Sequence, residues 1–176
     1  MIRKKKTYVR PKKMYEKSRI EEENILVTKY SLKNKREIWK TLTKVNYYRS
    51  RAKSLSRASP DEQNVLFTKL QKIGLNVNSI SDVLALKIED LLSRRLPTIL
   101  YKKKLATTTG QARQMVVHKN VLIDGKVVNI PSYIVSVAEE TLITLKKKKK
   151  VAKVAPKEES PAQENSENID EVKSDA

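Results

Sequence analysis

The chain of 176 residues contains no cysteine, which excludes a disulfide framework, a thiolate nucleophile and a cysteine-ligated zinc site. It has one histidine and three glycines, Gly74, Gly110 and Gly125, too scattered for a glycine-rich phosphate loop. No uninterrupted apolar run approaches the ~20 residues of a membrane span. The basic N-terminus lacks the apolar core of a signal peptide, so the expected compartment is the cytoplasm. Acids are scarce, 20 against 38 lysines and arginines. They cluster at Glu21 to Glu23 or scatter at helix starts, so neither a nucleophile–base pair nor a metal set can be assembled. The expectation is a binding protein that is not an enzyme and takes no metal, cofactor or small-molecule ligand.

What the chain has is positive charge, a net +18. Residues 151–176 hold three lysines against seven acids, a balance of −4, which leaves +22 on residues 1–150. A surplus of that size calls for a polyanionic partner, nucleic acid before an acidic membrane. The apolar share of 39% is low for a chain of one to one and a half domains, so part of it is expected to remain unpacked.

Residues 1–28 read as a basic arm. Arg3, Lys4, Lys5, Lys6, Arg10, Lys12, Lys13, Lys17 and Arg19 face a single acid, Glu16, within the first 19 residues, with Tyr8 and Tyr15 interleaved. Such a segment either stays solvated or orders on a phosphate backbone with its tyrosines against bases or sugars, and the total charge favours the second. Residues 29–88 read as a helical subdomain. A helix is expected from Asn34 towards Leu55, with Ile38, Leu42, Val45, Ala52 and Leu55 inward and Lys33, Lys35, Arg36, Lys40, Lys44 and Arg51 supplying a basic face. Trp39, the only tryptophan, is expected in the core. Ser59-Pro60-Asp61-Glu62 starts a second helix and Gly74 stops it, with Leu66, Leu70 and Ile73 as its buried stripe. Ser81-Asp82 opens a third, shorter one.

Residues 89–145 carry the densest pattern. Thr108 followed by Gln111 reads as a helix N-cap, so a helix begins at about Thr109 with Ala112, Met115 and Val116 inward. The period then becomes extended: Val121 to Ile123 leads into Asp124-Gly125, and Lys126 to Val128 leads out, a strong hairpin signal. Ile134 to Val137 and Leu142 to Ile143 are further β-prone runs. Pro97 predicts a kink or a restart in the preceding helix, placing Arg94 and Arg95 at a bend. Arg94, Arg95, Lys102, Lys103, Lys104, Thr108, Gln111, Arg113, His118, Lys119 and Lys126 make this surface rich in donors and poor in acceptors, which suits phosphate. The fold class expected is α+β: a helical subdomain beside a small module of two helices on a short, curled, mostly antiparallel sheet.

The runs RRL (Arg94 to Leu96), QARQ (Gln111 to Gln114), VVH (Val116 to His118), DGK (Asp124 to Lys126) and IPSY (Ile130 to Tyr133) resemble the RNA-binding module named after small-subunit ribosomal protein S four. KYSLKNKREIW (Lys29 to Trp39) is similar to the segment that archaeal and eukaryotic ribosomal members carry upstream. With residues around Arg19 to Glu23, the resemblance covers about the first 145 residues. Ser31, Gly110 and Pro97 depart from it, the first two standing where a glycine and a basic residue are expected and Pro97 falling inside the first module helix. The resemblance implies a small-subunit protein that binds rRNA directly, nucleates assembly, supports decoding accuracy, contacts ribosomal protein S five and lies near the mRNA entry channel. Two other roles stay open: a biogenesis factor of the same family acting on precursor rRNA, and a general RNA chaperone without a defined site. The upstream run disfavours the first and the ordered module the second.

Residues 146–176 divide into a lysine run, Lys146 to Lys150, suited to another phosphate contact or a nuclear-type signal, and an acidic stretch with the composition of disorder.

Overall fold

The computed structural model describes residues 6–146. Arg3, Lys4, Lys5, most of the lysine run and the acidic stretch lie outside them. Helix α1 (Lys17–Tyr30) ends where Ser31 takes the left-handed φ of 46°, and α2 (Lys35–Leu55) follows directly. Helix α3 (Pro60–Ile73) has proline at its first position, Asp61 and Glu62 in its first turn, and Gly74 at φ 86° as its stop. Helix α4 (Ile80–Ala85) has its cap at Ser79, two residues before the Ser81 expected, because Ser79 and Asp82 cap one another's backbone reciprocally.

Helices α5 (Ile88–Ser93) and α6 (Leu96–Lys102) are separate, with Pro97 in the first turn of α6. Proline lacks the N–H that a first turn leaves unused, so the chain breaks and restarts there, as the sequence predicts. Arg94 and Arg95 stand at the break. The main chain at Arg95 pairs antiparallel with Ile134, and Leu96 N–H donates to the Tyr133 carbonyl at 2.9 Å.

Helix α7 (Thr109–Val117) carries the expected cap, Thr108 Oγ1 accepting from Gln111 N at 3.1 Å. Gln111 returns its carbonyl oxygen one residue further back, to Thr107 N at 2.8 Å. Strands β1 (Val121–Ile123) and β2 (Lys126–Val127) form the hairpin, with φ positive at Asp124 (50°) and Gly125 (72°). Positive φ at both turn residues matches the right-handed twist of the strands. Helix α8 (Val137–Thr141) precedes β3 (Ile143–Leu145), which pairs antiparallel with β1 to give the order β2-β1-β3.

Three apolar clusters hold these elements. Leu96, Ile99 and Leu100 of α6, Ala112 and Val116 of α7, Val121 and Ile123 of β1, Val135 and Ile143 fill the module. Val45, Ala52, Leu66, Leu70, Val77, Val83 and Leu91 join α2, α3, α4 and α5. Tyr30, Leu32, Ile38 and Leu92 tie α1 and α2 to α5. Each fully buried leucine stabilises by about 1.5–3 kcal/mol, and Leu91 and Leu92, adjacent on α5, serve different clusters.

Four expectations need correcting. The arm does not extend to residue 28, since α1 begins at Lys17 and packs against α2. The run Ile134 to Val137 is not a strand: Ile134 makes only an isolated bridge to Arg95, and Ser136 and Glu139 form a reciprocal cap that starts α8 at Val137. Leu42 is not in the buried stripe, being 37% exposed. Trp39 is half-buried, against Tyr8 at 6.0 Å between ring centroids.

Candidate nucleic-acid interface

The predicted donors separate by what their side chains already hold. Arg94 Nε donates to the Ile73 carbonyl at 2.7 Å, and its Nη2 to Glu140 at 2.9 Å and the Val135 carbonyl at 3.3 Å. Its guanidinium fills the space beside Gly74, where an added Cβ would stand 2.7 Å from Arg94 Cζ. Arg95 is buried and donates to Glu37 Oε2 at 2.6 Å. Arg113 reaches the same carboxylate with both terminal nitrogens, at 2.7 Å to Oε1 and 3.2 Å to Oε2. Lys103 Nζ donates to the Glu140 carbonyl. Arg94, Arg95, Lys103 and Arg113 are therefore braces within the fold. The expectation of Arg113 as an exposed donor gives way to a half-buried residue joining α7 to α2.

Glu37 is the centre of that joint. Burial works to raise its pKa, but the hydrogen bonds from Arg113 and Arg95 outweigh it and hold the carboxyl below its ordinary value. One carboxylate between two guanidiniums leaves a local surplus of positive charge. Beside it lies a cleft of about 560 Å³ whose wall includes Thr7, Lys40, Lys44, Leu91 and Pro131. Lys40 and Lys44 are one helical turn apart on α2 and exposed, and neither has an acid in ion-pair reach among the described residues. Lys44, placed on the basic face of this helix by the sequence pattern, lines the same cleft as Lys40.

The remaining module donors make no ion pair among the described residues. Lys102 and Lys104 sit at the end of α6, and His118 and Lys119 at the end of α7. Lys126 is on the hairpin, and all five are exposed. None of these lysines forms an ion pair among the described residues. Lys104 and Lys119 take left-handed φ values of 56° and 59°, so each marks a sharp turn that projects a cation beyond a helix end. In the chain the two groups are joined by residues 105–108 and the nine-residue α7, itself about 13 Å long. Thr108 and Gln111 are committed to capping through Thr108 Oγ1 and Gln111 Oε1, which leaves the exposed amide NH2 of Gln111 as a spare donor.

In the N-terminal part Lys6, Arg10, Lys12, Lys13, Lys33, Arg36 and Arg51 are exposed. Lys35 is 3.5 Å from Glu23, and Arg51 Nη1 donates to Tyr47 Oη at 3.4 Å. Among the described residues no three acids or histidines gather into a metal site, and no helix is long and apolar enough to cross a membrane.

An S4 domain family model matches residues 94–141, the span from the break before α6 to the end of α8. Small ribosomal subunit protein uS4 of Methanocella arvoryzae is 37% identical over 172 residues, covering 86% of this chain and 83% of the relative. Small ribosomal subunit protein uS4 of Saccharolobus islandicus (strain L.S.2.15 / Lassen #1) is 46% identical over 134 residues, covering 72% of this chain and 74% of the relative. The chain belongs to the uS4 family. Both relatives are archaeal, in line with the upstream segment Lys29 to Trp39. Within this uS4 chain the S4 domain is braced to α2 through Arg95, Glu37 and Arg113, a joint with one end outside the matched span.

Proposed function

We propose that the chain is a structural constituent of the small ribosomal subunit and binds small-subunit rRNA directly. What carries the reading is the division of charge on a uS4-family module. Arg94, Arg95, Lys103 and Arg113 hold the frame, while Lys102, Lys104, Lys119 and Lys126 remain exposed without an acidic partner among the described residues. Affinity arises from counterions released as these lysines approach phosphates. Recognition follows the shape of a folded RNA, because the deep groove of an A-form helix hides its base edges. Gln111, His118, Lys33, Lys40, Lys44 and Arg51 extend the surface, and Lys6, Arg10, Lys12 and Lys13 add the arm.

In its finer form the proposal makes the chain an early-binding protein that nucleates subunit assembly and supports decoding accuracy. It places ribosomal protein S five, other small-subunit proteins and mRNA at the entry channel among its neighbours, in the cytoplasm. Crosslinking in cells followed by sequencing of the bound RNA tests the core of it, with the same lysate sedimented on a density gradient. Crosslinks in mature small-subunit rRNA and sedimentation with subunits and ribosomes are expected. Crosslinks confined to precursor rRNA, with none of the protein in mature subunits, overturn the proposal in favour of a biogenesis factor.

A further inference from the structure

Glu23 on α1 is 6% exposed. Its Oε1 is fully engaged, accepting from Arg19 Nη1 at 2.7 Å and from Trp39 Nε1 at 2.9 Å. Its Oε2 has no hydrogen-bond donor among the described residues; Lys35 Nζ at 3.5 Å is a loose ionic neighbour. The carboxyl stays ionised at neutral pH. Burial works to raise its pKa, and the bonds from Trp39 and Arg19 bring it below the ordinary value. A buried carboxylate oxygen without a donor is costly and calls for a partner.

Glu23 lines a cavity of about 330 Å³ between residues 10–15 and helices α1 and α2. Arg10 and Arg36 stand on its rim, exposed and without an acid in ion-pair reach among the described residues. Trp39 and Tyr15 form part of its wall, the Tyr15 ring almost wholly open to solvent. The volume is at the small end of the range for ligand pockets. Cations at the mouth, flat aromatic surface within and a buried acceptor ask for a ligand with a negative group, a planar body and an N–H donor. A phosphate alone has no planar body and no N–H.

Resting on the RNA-binding reading above, we propose that this cavity holds one unstacked nucleotide of the bound RNA. Its base lies against Tyr15 and Trp39, a base N–H donates to Glu23 Oε2, and Arg10 and Arg36 take its phosphate. Unstacked bases in RNA complexes commonly lie on aromatic and guanidinium planes, and such stacking tolerates any base. The Glu23 acceptor adds a demand that stacking does not: the edge turned inward must present a donor.

The chain has a single tryptophan, and it lies in the cavity wall, so fluorescence excited away from base absorption reads occupancy in the full chain. UMP, CMP, AMP and GMP are expected to quench it saturably. Ribose 5-phosphate and inorganic phosphate at matched ionic strength should bind about tenfold more weakly, for want of a stacked base. In Glu23→Gln the amide oxygen must stay with Arg19 and Trp39, so the NH2 replaces Oε2 and donor meets donor; nucleotides should bind about fivefold to tenfold more weakly. Tyr15→Ala, at an exposed position, should weaken all four nucleotides about tenfold while circular dichroism and the melting temperature stay as they are.

Equal binding of ribose 5-phosphate and nucleotides, no saturable quenching, or unchanged affinity in both variants overturns the proposal. A parallel titration with small-subunit rRNA separates the two levels. Tight rRNA binding with no nucleotide response removes the pocket alone, whereas failure to bind rRNA removes the reading it rests on.

Discussion

Replacing Glu37 by alanine removes the one carboxylate that joins the S4 domain to α2 among the described residues. The Arg95 side chain is 8% exposed, Arg113 21% and Glu37 itself 18%. Taking away one member of a buried ion pair costs about 3–5 kcal/mol, because the remaining charge is left desolvated. Here two guanidiniums lose their acceptor at once, but Arg113 is open enough to swing towards water, so the low end, about 3 kcal/mol, is expected. Against a typical domain stability of ~5–15 kcal/mol that is a large fraction, and the melting temperature should fall by about 6–12 °C. Glu37→Gln keeps the volume and one acceptor and should cost about 1–2 kcal/mol. The assay is urea and thermal unfolding of the full chain at neutral pH. The urea midpoint should fall with an unchanged slope, and the deficit should persist in high salt, since buried charges are poorly screened. A double-mutant cycle of Glu37→Ala with Arg113→Ala should return a coupling of about 0.5–3 kcal/mol. A melting temperature for Glu37→Ala within about 1 °C of the parent would refute the brace.

Lys102→Ala, Lys104→Ala and Lys119→Ala should each weaken rRNA binding and lower the salt slope by about one, with stability unchanged to about 0.5 kcal/mol, measured by filter binding across a salt series and by melting. Arg113→Ala should instead lose stability together with affinity in the same two assays. Gly74→Ala combines a φ of 86° with a Cβ placed against the Arg94 guanidinium; about 2–3 kcal/mol is expected in urea unfolding, from left-handed strain and the displaced brace. Gly125→Ala, at φ 72° with nothing within 4 Å, should cost about 1 kcal/mol by the same measurement. Glu37 and Glu23 both have pKa values depressed below 4.5 in the folded chain. Their contribution is fully present above that value and is lost as pH falls through the lower folded values, so denaturant midpoints should be flat towards neutrality and drop steeply below about pH 4.5.

Elements fixed by local chemistry were legible in the sequence. The helices from Asn34 and Ser59, the Thr108 cap and the Asp124-Gly125 turn each depend on residues within four positions of one another, and each occurs where expected. The capping pair Ser136 and Glu139 is equally local, but the β-prone Ile134, Val135 and Val137 around it point to a strand and hide α8. The joint at Glu37 was not legible at all. It joins residues 58 and 76 positions apart, and nothing in the run KNKREIW separates an acid that pairs with its neighbours from one that captures two distant arginines. Charge alone therefore does not separate braces from free donors in the sequence.

That mixture has a chemical logic. Within the module the three arginines, Arg94, Arg95 and Arg113, all brace the fold, and the exposed cations without an ion pair among the described residues are lysines. A guanidinium is planar and weakly hydrated, so it can be buried against a carboxylate and two carbonyls, as Arg94 is through Nε and Nη2. An ammonium is compact, strongly hydrated and carried on a flexible stem, so burial is costly for it but a mobile phosphate is an easy target. Charge of one sign therefore does two jobs in the module, and its arginines all take the first: substitution of an arginine by lysine at 95 or 113 should harm the fold although the charge is kept. For Arg113, which meets both oxygens of Glu37, lysine can satisfy only one at a time. The loss should be about 1–2 kcal/mol in urea unfolding, and an unchanged midpoint would show that charge rather than the two-point geometry holds the S4 domain to α2.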